Sequence, residues 1–470
     1  MKTSTEESEA PDQPALTSVV GVGPADGRLA HRATQGITRG VPAPKSRLET
    51  ENELVGFVCD LLQAPDTAVG TISGGLHESA LMVLRAARDA RPHLRRPSVV
   101  LPQSAHPAWF AAAADVGVTP AVAPVSIDGS VEVGPMTALI RDQTVLVVAS
   151  APSYTHGRVD HVAWIAAASA AHAVPLHVDA SSGGWALAYA ELAGRLRQPW
   201  GFAVPGVSSI TLDVGPDRGT SADVSMLVHR EPAERRAVHA SALASRGPLD
   251  SDVAWSAPSA VVAELTETLR EVGHLRCAGL SLDALDATAE LAAGLVGARG
   301  ITLVAQPDAT TLVLRADATC DAFVFADALH HRGWTASPFF PDQGPPMLRF
   351  AVTAAMLPLV PQCLAAMDDA VSEARARGRA RVDPTLQRLL EKLDAHDVSE
   401  YAAELLLDAA AVLDESDSDE PERRQATNLL LKAAPPEIRE LLLTYQRDRL
   451  SRPVRRGSPI LTFAPATDED

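Results

Sequence analysis

Apolar residues in the first half of the chain follow two spacings, which predict helices and buried strands in alternation. Residues 48–62 place apolar side chains along one face of a helix, and further helices are predicted at 79–90 and 162–173. The intervening apolar runs are short and continuous, as expected of strands that are buried on both faces: 98–101, 120–127, 144–150 and 175–179. This alternation predicts an α/β domain with a mainly parallel sheet.

Later apolar runs predict the rest of this sheet and a second, smaller domain. Strands are expected at 207–213 and 222–228, before long helices at 259–272 and 283–298. An α+β unit is predicted next, with these elements in order: strands at 301–305 and 310–314, a helix at 320–332 and a strand at 347–352. We therefore divide the chain into five segments: a disordered or extended arm at 1–47, a large α/β domain at 48–255, connecting helices and a small α+β domain at 256–380, a helical appendage at 381–450 and a disordered tail at 451–470.

The composition limits the classes of function. Hydrophobic residues make up 46% and charged residues 21% of the 470 positions, which is ordinary for a globular protein. The net charge of −18 opposes non-specific binding to nucleic acid, because a phosphate backbone repels an acidic surface. No apolar run reaches the roughly 20 residues that a membrane-spanning helix needs, so we expect a soluble, cytoplasmic protein. The four cysteines are widely spaced and the adjacent His330 and His331 point apart on a helix, so we expect buried thiols and no metal site.

The most informative stretch is a strand that ends in a carboxylate. Pro175-Leu-His-Val-Asp179 is apolar apart from its histidine and its last residue, and a turn of small residues, Ala180-Ser-Ser-Gly-Gly184, follows. Parallel sheets present polar groups of this kind at the carboxyl ends of their strands, where ligands bind. The sequence therefore predicts a functional site around Asp179.

Several motifs, in the same order, resemble those of the pyridoxal-phosphate-dependent group II decarboxylases, and most closely their sphingosine phosphate lyase branch. The matching stretches are Thr71–Ala80 for TSGGTES, Ser104–Phe110 for TAHAAFDKA, Ser150–Asp160 for GSAPNFPHGTIDPI, His177–Gly184 for HVDAxxGG and Asp327–Trp334 for DALxxRGW. The resemblance covers residues 48–375. It implies a fold type I (aspartate aminotransferase-like) large domain, pyridoxal phosphate as cofactor and a decarboxylase or carbon–carbon lyase ancestry.

The resemblance also implies a role for individual residues. Ser73, Gly74 and Gly75 match the turn whose backbone amides bind the cofactor phosphate, His106 matches the histidine that stacks on the pyridine ring, and Asp179 matches the aspartate that pairs with the pyridine nitrogen. Each match has a structural alternative. Glycine turns are common where a strand meets a helix, a histidine before a helix often caps it, and an aspartate at the end of a strand can cap the next turn.

The residue that carries the family's covalent chemistry is absent from its expected position. Ser209–Arg218 resembles SxxADTHKYG, which makes Ser209 part of the implied cofactor site, but Gly215 stands at the histidine and Pro216 at the Schiff-base lysine. Nothing between residues 46 and 391 is a lysine. Arginine cannot replace it, because a guanidinium stays protonated and is not an amine nucleophile. Arg246 is the remnant of a Gly-Ser-Arg motif, which implies a substrate contact.

Three interpretations of function are compatible with these observations. In the first, the chain is a catalytically degenerate homologue that serves as a structural or regulatory subunit of a dimer, with itself or with an active relative. In the second, it is an enzyme that binds pyridoxal phosphate noncovalently and uses another base, such as His177 or Asp217. In the third, it is a decarboxylase or lyase of the usual kind, whose lysine comes from another chain or was lost through a sequence error.

Overall fold

The computed structural model describes residues 47–215, 224–243, 259–341, 344–379, 382, 384–393, 398–412 and 420–450. The strands are β1 Val69–Ser73, β2 Ser98–Pro102, β3 Thr119–Ala123, β4 Thr144–Ser150, β5 Leu176–Asp179, β6 Val207–Asp213, β7 Ser225–His229, β8 Ile301–Leu303, β9 Thr311–Ala316, β10 Ser337–Phe339 and β11 Met347–Ala351. The first seven build one sheet and the last four another. The α/β fold class predicted from the sequence is confirmed.

Helices cover both faces of the large sheet and one side of the small one. In the large domain they are α1 Arg47–Leu61, α2 Leu76–Asp89, α3 Pro107–Val116, α4 Val133–Ala138, α5 Val162–Ala171, α6 Gly184–Leu192 and α7 Pro232–Leu243. The later helices are α8 Ser259–Val272, α9 His274–Gly294, α10 Ala322–His330, a 3₁₀ helix Ala354–Leu359, α11 Val360–Arg377, α12 Pro384–Leu390, α13 Glu400–Val412, α14 Glu420–Ala433 and α15 Pro436–Leu450. Among the described residues, no helix is both long and apolar enough to cross a bilayer.

The large sheet has the strand order β1-β7-β6-β5-β4-β2-β3. Every neighbouring pair is parallel except those that involve β7, which runs antiparallel to both β1 and β6. The carboxyl ends of β4, β5 and β6 therefore meet at one edge. Asp179 lies at this edge, in register with Ser150 of β4 and Thr211 of β6.

The two faces of this sheet differ in chemistry. One face is apolar and packs against α1, α5, α6 and α8, as Leu176 and Val178 of β5 show. On the other face, which α2 and α3 cover, the central strands carry a group of polar residues that we call the polar stripe: Ser73, His177, Asp179, Ser209, Thr211, Ser225 and His229. All seven are buried. A strand that is buried on both faces is usually apolar throughout, so the polar stripe is the unusual feature of this sheet.

The second domain and the appendage have separate cores. The small sheet, ordered β10-β11-β9-β8, is antiparallel throughout and packs its buried face on α9, α10 and α11. Helices α12 to α15 form a further cluster around Leu407, Leu431, Ile438 and Leu442, and Phe340 packs against this cluster from the small domain.

Several boundaries differ from the sequence-based expectation. The strand expected at 120–127 ends at Ala123, because Pro124 has no N–H with which to continue the ladder. The helix expected at 283–298 begins at His274 instead. The expected arm, apart from residue 47, and the expected tail lie outside the described residues. Three of the four free cysteines are buried as expected, whereas Cys59 is partly exposed.

Candidate functional site

Asp179 is the last residue of β5 and lies at the centre of the predicted site. Its Oδ2 accepts a hydrogen bond from Trp109 Nε1 at 2.9 Å. Its Oδ1 accepts two more, from the backbone N–H and the hydroxyl of Ser181, at 3.0 and 2.7 Å. The aspartate is only 3% exposed and Trp109 is fully buried. Both carboxylate oxygens are therefore bound by donors of the chain itself, and the bonds to Ser181 cap the turn that follows the strand.

Trp109 also connects Asp179 to the rest of the polar stripe. Its ring centroid lies 4.9 Å from that of His177, whose Nδ1 is 2.8 Å from the Ser209 hydroxyl. Burial, and secondarily the nearby His229, lowers the pKa of His177 to about 3, and burial likewise lowers that of His229 to about 3. Both imidazoles are therefore neutral at pH 7. The low pKa makes His177 a poor general base, which disfavours its proposed role in an enzyme that lacks the lysine.

A second buried acid lies beside Asp179. Asp160 is the last residue of the Ser150–Asp160 motif and is completely buried. Its Oδ2 accepts the backbone N–H of Ser150 at 2.7 Å. Burial raises its pKa to about 7, and the negative charge of Asp179 adds to this rise. Asp160 therefore connects the end of β4 to the site through its bond to Ser150.

The glycine turn before α2 is closed by side chains of the chain. The backbone N–H of Gly74 donates to Glu78 Oε2 at 2.5 Å. The hydroxyl of Ser73 lies 2.7 Å from that of Ser79, one turn into the helix. A carboxylate is favourable at a helix N-terminus because it faces the positive end of the helix dipole and exposed amide groups. Glu78 thus supplies the negative charge that a phosphate would otherwise bring to this turn.

His106 is held by the start of α3 and by an aromatic neighbour. Its Nδ1 accepts the backbone N–H of Ala108 at 3.1 Å, so it caps the helix, and Pro107 follows at the first helical position. The ring of Tyr154 approaches it edge-on, with centroids 4.3 Å apart. Arg349 of β11 lies 4.1 Å above the Tyr154 ring and donates to the Tyr154 carbonyl at 3.2 Å. These contacts connect His106 to the small domain.

The site residues predicted from the sequence therefore form two groups. Asp179 and Ser209 belong to the polar stripe and connect to each other through Trp109 and His177. Ser73, Gly74 and Gly75 form the turn before α2, where Ser73 also donates to the carbonyl of Ser225 at 3.3 Å. His106 lies at the start of the helix that carries Trp109. Pro216, Asp217 and Arg246 lie outside the described residues.

Part of this chain matches a known protein family, and several known proteins are similar to it in sequence. Residues 51–185, which include the glycine turn, His106 and Asp179, match the class-V aminotransferase family. A sphingosine-1-phosphate lyase of Arabidopsis thaliana is 25% identical over 342 residues, covering 71% of this chain and 62% of the lyase. A probable L-tyrosine/L-aspartate decarboxylase of Methanothermobacter thermautotrophicus is 28% identical over 291 residues, covering 62% of this chain and 78% of the decarboxylase.

Solved structures give the same fold. A sphingosine-1-phosphate lyase of Burkholderia pseudomallei superposes with a TM-score of 0.63 at 24% identity, covering 75% of this chain and 84% of the lyase. A glutamate decarboxylase of Lactobacillus brevis gives a TM-score of 0.60 at 16% identity, covering 81% of this chain and 97% of the decarboxylase. The chain is therefore similar in sequence to pyridoxal-phosphate-dependent lyases and decarboxylases and shares their fold. It spans 62% and 58% of the length of the plant and Dictyostelium discoideum lyases that it matches.

The group II decarboxylases that this chain resembles bind pyridoxal phosphate, and the residues of this chain do not fit covalent attachment of that group. The sequence has no lysine between residues 46 and 391 to form the imine. The amide of Gly74 is bound by the Glu78 carboxylate, so a phosphate at this turn would have to displace that contact. Asp179 is buried, and Trp109 Nε1 already donates a hydrogen bond to its Oδ2 atom. A pyridine nitrogen would have to share this oxygen with the indole. We therefore assign no chemical step to the cofactor.

Sequence reasoning missed the two residues that decide this fit. Trp109 stands where the family motif TAHAAFDKA has phenylalanine, which lacks a hydrogen-bond donor. This change to an indole was the feature of the sequence that could have indicated an additional donor near Asp179. Glu78 matches the glutamate of the TSGGTES motif after one extra residue, and its contact with Gly74 depends on how α2 begins. The structural alternatives for His106 and Asp179, capping a helix and capping a turn, are both observed.

Proposed function

We propose that this chain is a non-catalytic member of the group II decarboxylase family and acts as a structural or regulatory subunit of a dimer. Its partner is a second copy or an active relative. The observation that carries the proposal is the bond from Trp109 Nε1 to Asp179 Oδ2, at 2.9 Å in a fully buried setting. Since the chain supplies its own donor to this carboxylate, the site has no need of a cofactor nitrogen.

Two further features support the same conclusion independently. The absence of a lysine from residues 46–391 removes the amine that covalent attachment requires. The Glu78 carboxylate binds the Gly74 amide, so a phosphate at the glycine turn would have to displace that contact. A single lost residue would leave the remaining site suited to the cofactor, whereas here the attachment, phosphate and pyridine positions have all changed.

The test is a titration of the purified protein with pyridoxal phosphate, followed by borohydride reduction and peptide mass spectrometry. We expect no imine absorbance and no pyridoxyl adduct on residues 46–391, because only an amine forms the imine. An active sphingosine-1-phosphate lyase treated in the same way is the positive control. A reduced adduct mapped to any residue of the folded large domain would refute the proposal.

A noncovalent cofactor enzyme gives a different result in the same titration. It would bind pyridoxal phosphate saturably in the low micromolar range, without an adduct after reduction, and that outcome would favour the second interpretation. We expect binding to be weaker than millimolar, because each lost phosphate or ring contact costs about 1 to 3 kcal/mol and several are lost together.

Restoring the two missing residues is expected to fail. The variant carries Gly215→His and Pro216→Lys. Gly215 has a φ of 133°, which side chains with a β-carbon rarely adopt, so histidine would be strained at that position. Glu78 and Trp109 would also remain in place. Imine formation in this variant at micromolar pyridoxal phosphate would show that the rest of the site is intact and would contradict general loss of cofactor binding.

A further inference from the structure

A large cleft separates the small domain from the helical appendage, far along the chain from Asp179. It has a volume of about 930 Å³. One wall is formed by the residues that precede α10 and by the loop after β10, and the other by the corner where α14 meets α15. Ligand sites in proteins commonly have volumes of about 300–1,000 Å³ and lie between domains, so this cleft is large enough for a small organic molecule.

Three basic side chains line the cleft: Arg379, Lys432 and Arg439. Among the described residues their contacts are with neutral groups. Arg379 donates to the carbonyl of Ala318 at 2.9 Å. Arg439 donates to the carbonyls of Leu431 and Ala434, at 2.8 and 3.2 Å.

The third basic side chain, Lys432, also contacts a neutral group. Lys432 Nζ lies 5.6 Å from the centroid of the Phe323 ring, which is a contact with a neutral aromatic face. Within the described part of the chain, no carboxylate lies within ion-pair distance of any of the three cations. Unpaired cations are notable here, because acidic residues outnumber basic ones by 59 to 41 in the sequence.

The two acidic residues that line the cleft, Asp317 and Asp321, already have hydrogen-bond or ion-pair partners. Asp321 caps α10 by accepting the backbone N–H groups of Phe323 and Val324, at 2.9 and 3.3 Å. Asp317 accepts the backbone N–H groups of Gly300 and Thr319 and lies 3.9 Å from Arg375. Among the described lining residues, three positive charges face two negative ones, and this excess of positive charge favours an anionic ligand.

The other lining residues of the cleft include an aromatic ring and three prolines. The Phe340 ring lies 5.0 Å below the Arg439 guanidinium. Pro341, Pro345 and Pro346 line the same cleft and present no backbone N–H groups. A ligand that fits this wall has an apolar or aromatic body, which would pack against Phe340 and the prolines while its anionic group faces the cations.

We propose that the cleft is a binding site for a small organic anion with an apolar body. The anionic group is bound by Lys432 and Arg439, with Arg379 adding charge at the rim. Because these cations come from the appendage and from the chain that follows α11, whereas Asp321 and Phe340 belong to the small domain, a bound ligand would bridge the two units. The proposal concerns a different part of the molecule from the Asp179 site and does not depend on its function.

The test is isothermal titration of the full chain with phenyl phosphate, which combines a dianion with an aromatic body. Benzyl alcohol has the same body without the charge, and inorganic phosphate has the charge without the body. We expect phenyl phosphate to bind with a one-to-one stoichiometry and a dissociation constant below about 1 mM, at least tenfold more tightly than either control. Added salt should weaken the binding, because the interaction is between charges near the surface.

Variants assign the binding to the cleft. Lys432→Gln and Arg439→Gln should each raise the dissociation constant about tenfold, the effect of losing one charge-assisted contact. Arg447→Gln is the matched control, since it removes one positive charge from the same helix as Arg439 but outside the cleft. Lys432 is exposed, so its variant keeps the test valid if Arg439→Gln fails to fold. No saturable binding of phenyl phosphate, equal binding of benzyl alcohol or unchanged binding in Lys432→Gln would each overturn the proposal.

Discussion

Replacing Trp109 with phenylalanine tests the contact that defines the candidate site. The change removes the indole N–H that binds Asp179 Oδ2 and leaves that oxygen of a buried carboxylate without its donor. A hydrogen bond to a charged group contributes about 1.5–3 kcal/mol to stability. The smaller ring also leaves a cavity, which adds roughly 1–2 kcal/mol to the cost. We therefore expect Trp109→Phe to lower the free energy of unfolding by about 2.5–5 kcal/mol, as the sum of these terms.

A second tryptophan separates the hydrogen bond from the cavity. Trp200 is also fully buried, but its Nε1 has no hydrogen-bond partner among the described residues. Trp200→Phe should therefore cost only the cavity contribution, about 1–2 kcal/mol. The assay is urea unfolding followed by far-UV circular dichroism, with both variants measured against the wild type at pH 7. If Trp109→Phe is no more destabilising than Trp200→Phe, the bond to Asp179 contributes nothing and the proposal that indole replaces the cofactor nitrogen is wrong.

Two further predictions concern pH and assembly. The pKa values of His177 and His229 fall to about 3 in the folded chain, whereas that of Asp160 rises to about 7. Burial also raises the pKa of Glu234 to about 7. Between pH 4 and 6.5 the unfolded state therefore binds two more protons at the two histidines and two fewer at Asp160 and Glu234, so these four contributions to the pH dependence of stability nearly cancel. His177→Gln removes one histidine contribution and should lower the slope of stability against pH by roughly 1.4 kcal/mol per unit relative to the wild type in urea unfolding across that range, and an unchanged slope would contradict the assignment. We also expect a dimer by analytical ultracentrifugation at micromolar concentration, alone or with an active relative from the same genome, and a monomer in both samples would refute the subunit proposal.

The sequence was sufficient to predict the sheet and its functional edge. Continuous apolar runs identified β4 and β5, and the carboxylate at the end of β5 marked the edge where the strands' carboxyl ends meet. These features depend on local pattern and on the general behaviour of parallel sheets. Smaller elements escaped prediction. Strand β10 is three residues long and helix α4 six, which is too short for an apolar period to be recognised.

The state of the site could not be predicted in the same way. The bond between Trp109 and Asp179 joins residues that are 70 positions apart and depends on the packing of α3 against the sheet. The contact of Glu78 with Gly74 is local, but it depends on the φ of 115° at Gly75, which sets where α2 begins. Motif matching compares residue types at fixed positions. It therefore detected the inherited aspartate and histidine but not the side chains that now bind or surround them.

If the chain is non-catalytic as proposed, the polar stripe bears on how the fold is stabilised without a cofactor. Buried polar groups destabilise a protein unless they have partners, and a site built for a ligand leaves such groups open when the ligand is lost. In this chain several of the partners come from within. Trp109 binds Asp179, Glu78 binds the amide of Gly74, and His177 Nδ1 pairs with Ser209. His177 Nε2, Thr211 Oγ1 and His229 Nε2 have no hydrogen-bond partner among the described residues. The internal hydrogen bonds that do form stabilise the folded chain. On this argument, adding pyridoxal phosphate should not raise the melting temperature of the protein, whereas restoring the open site would carry a cost in stability that the cofactor would have to offset.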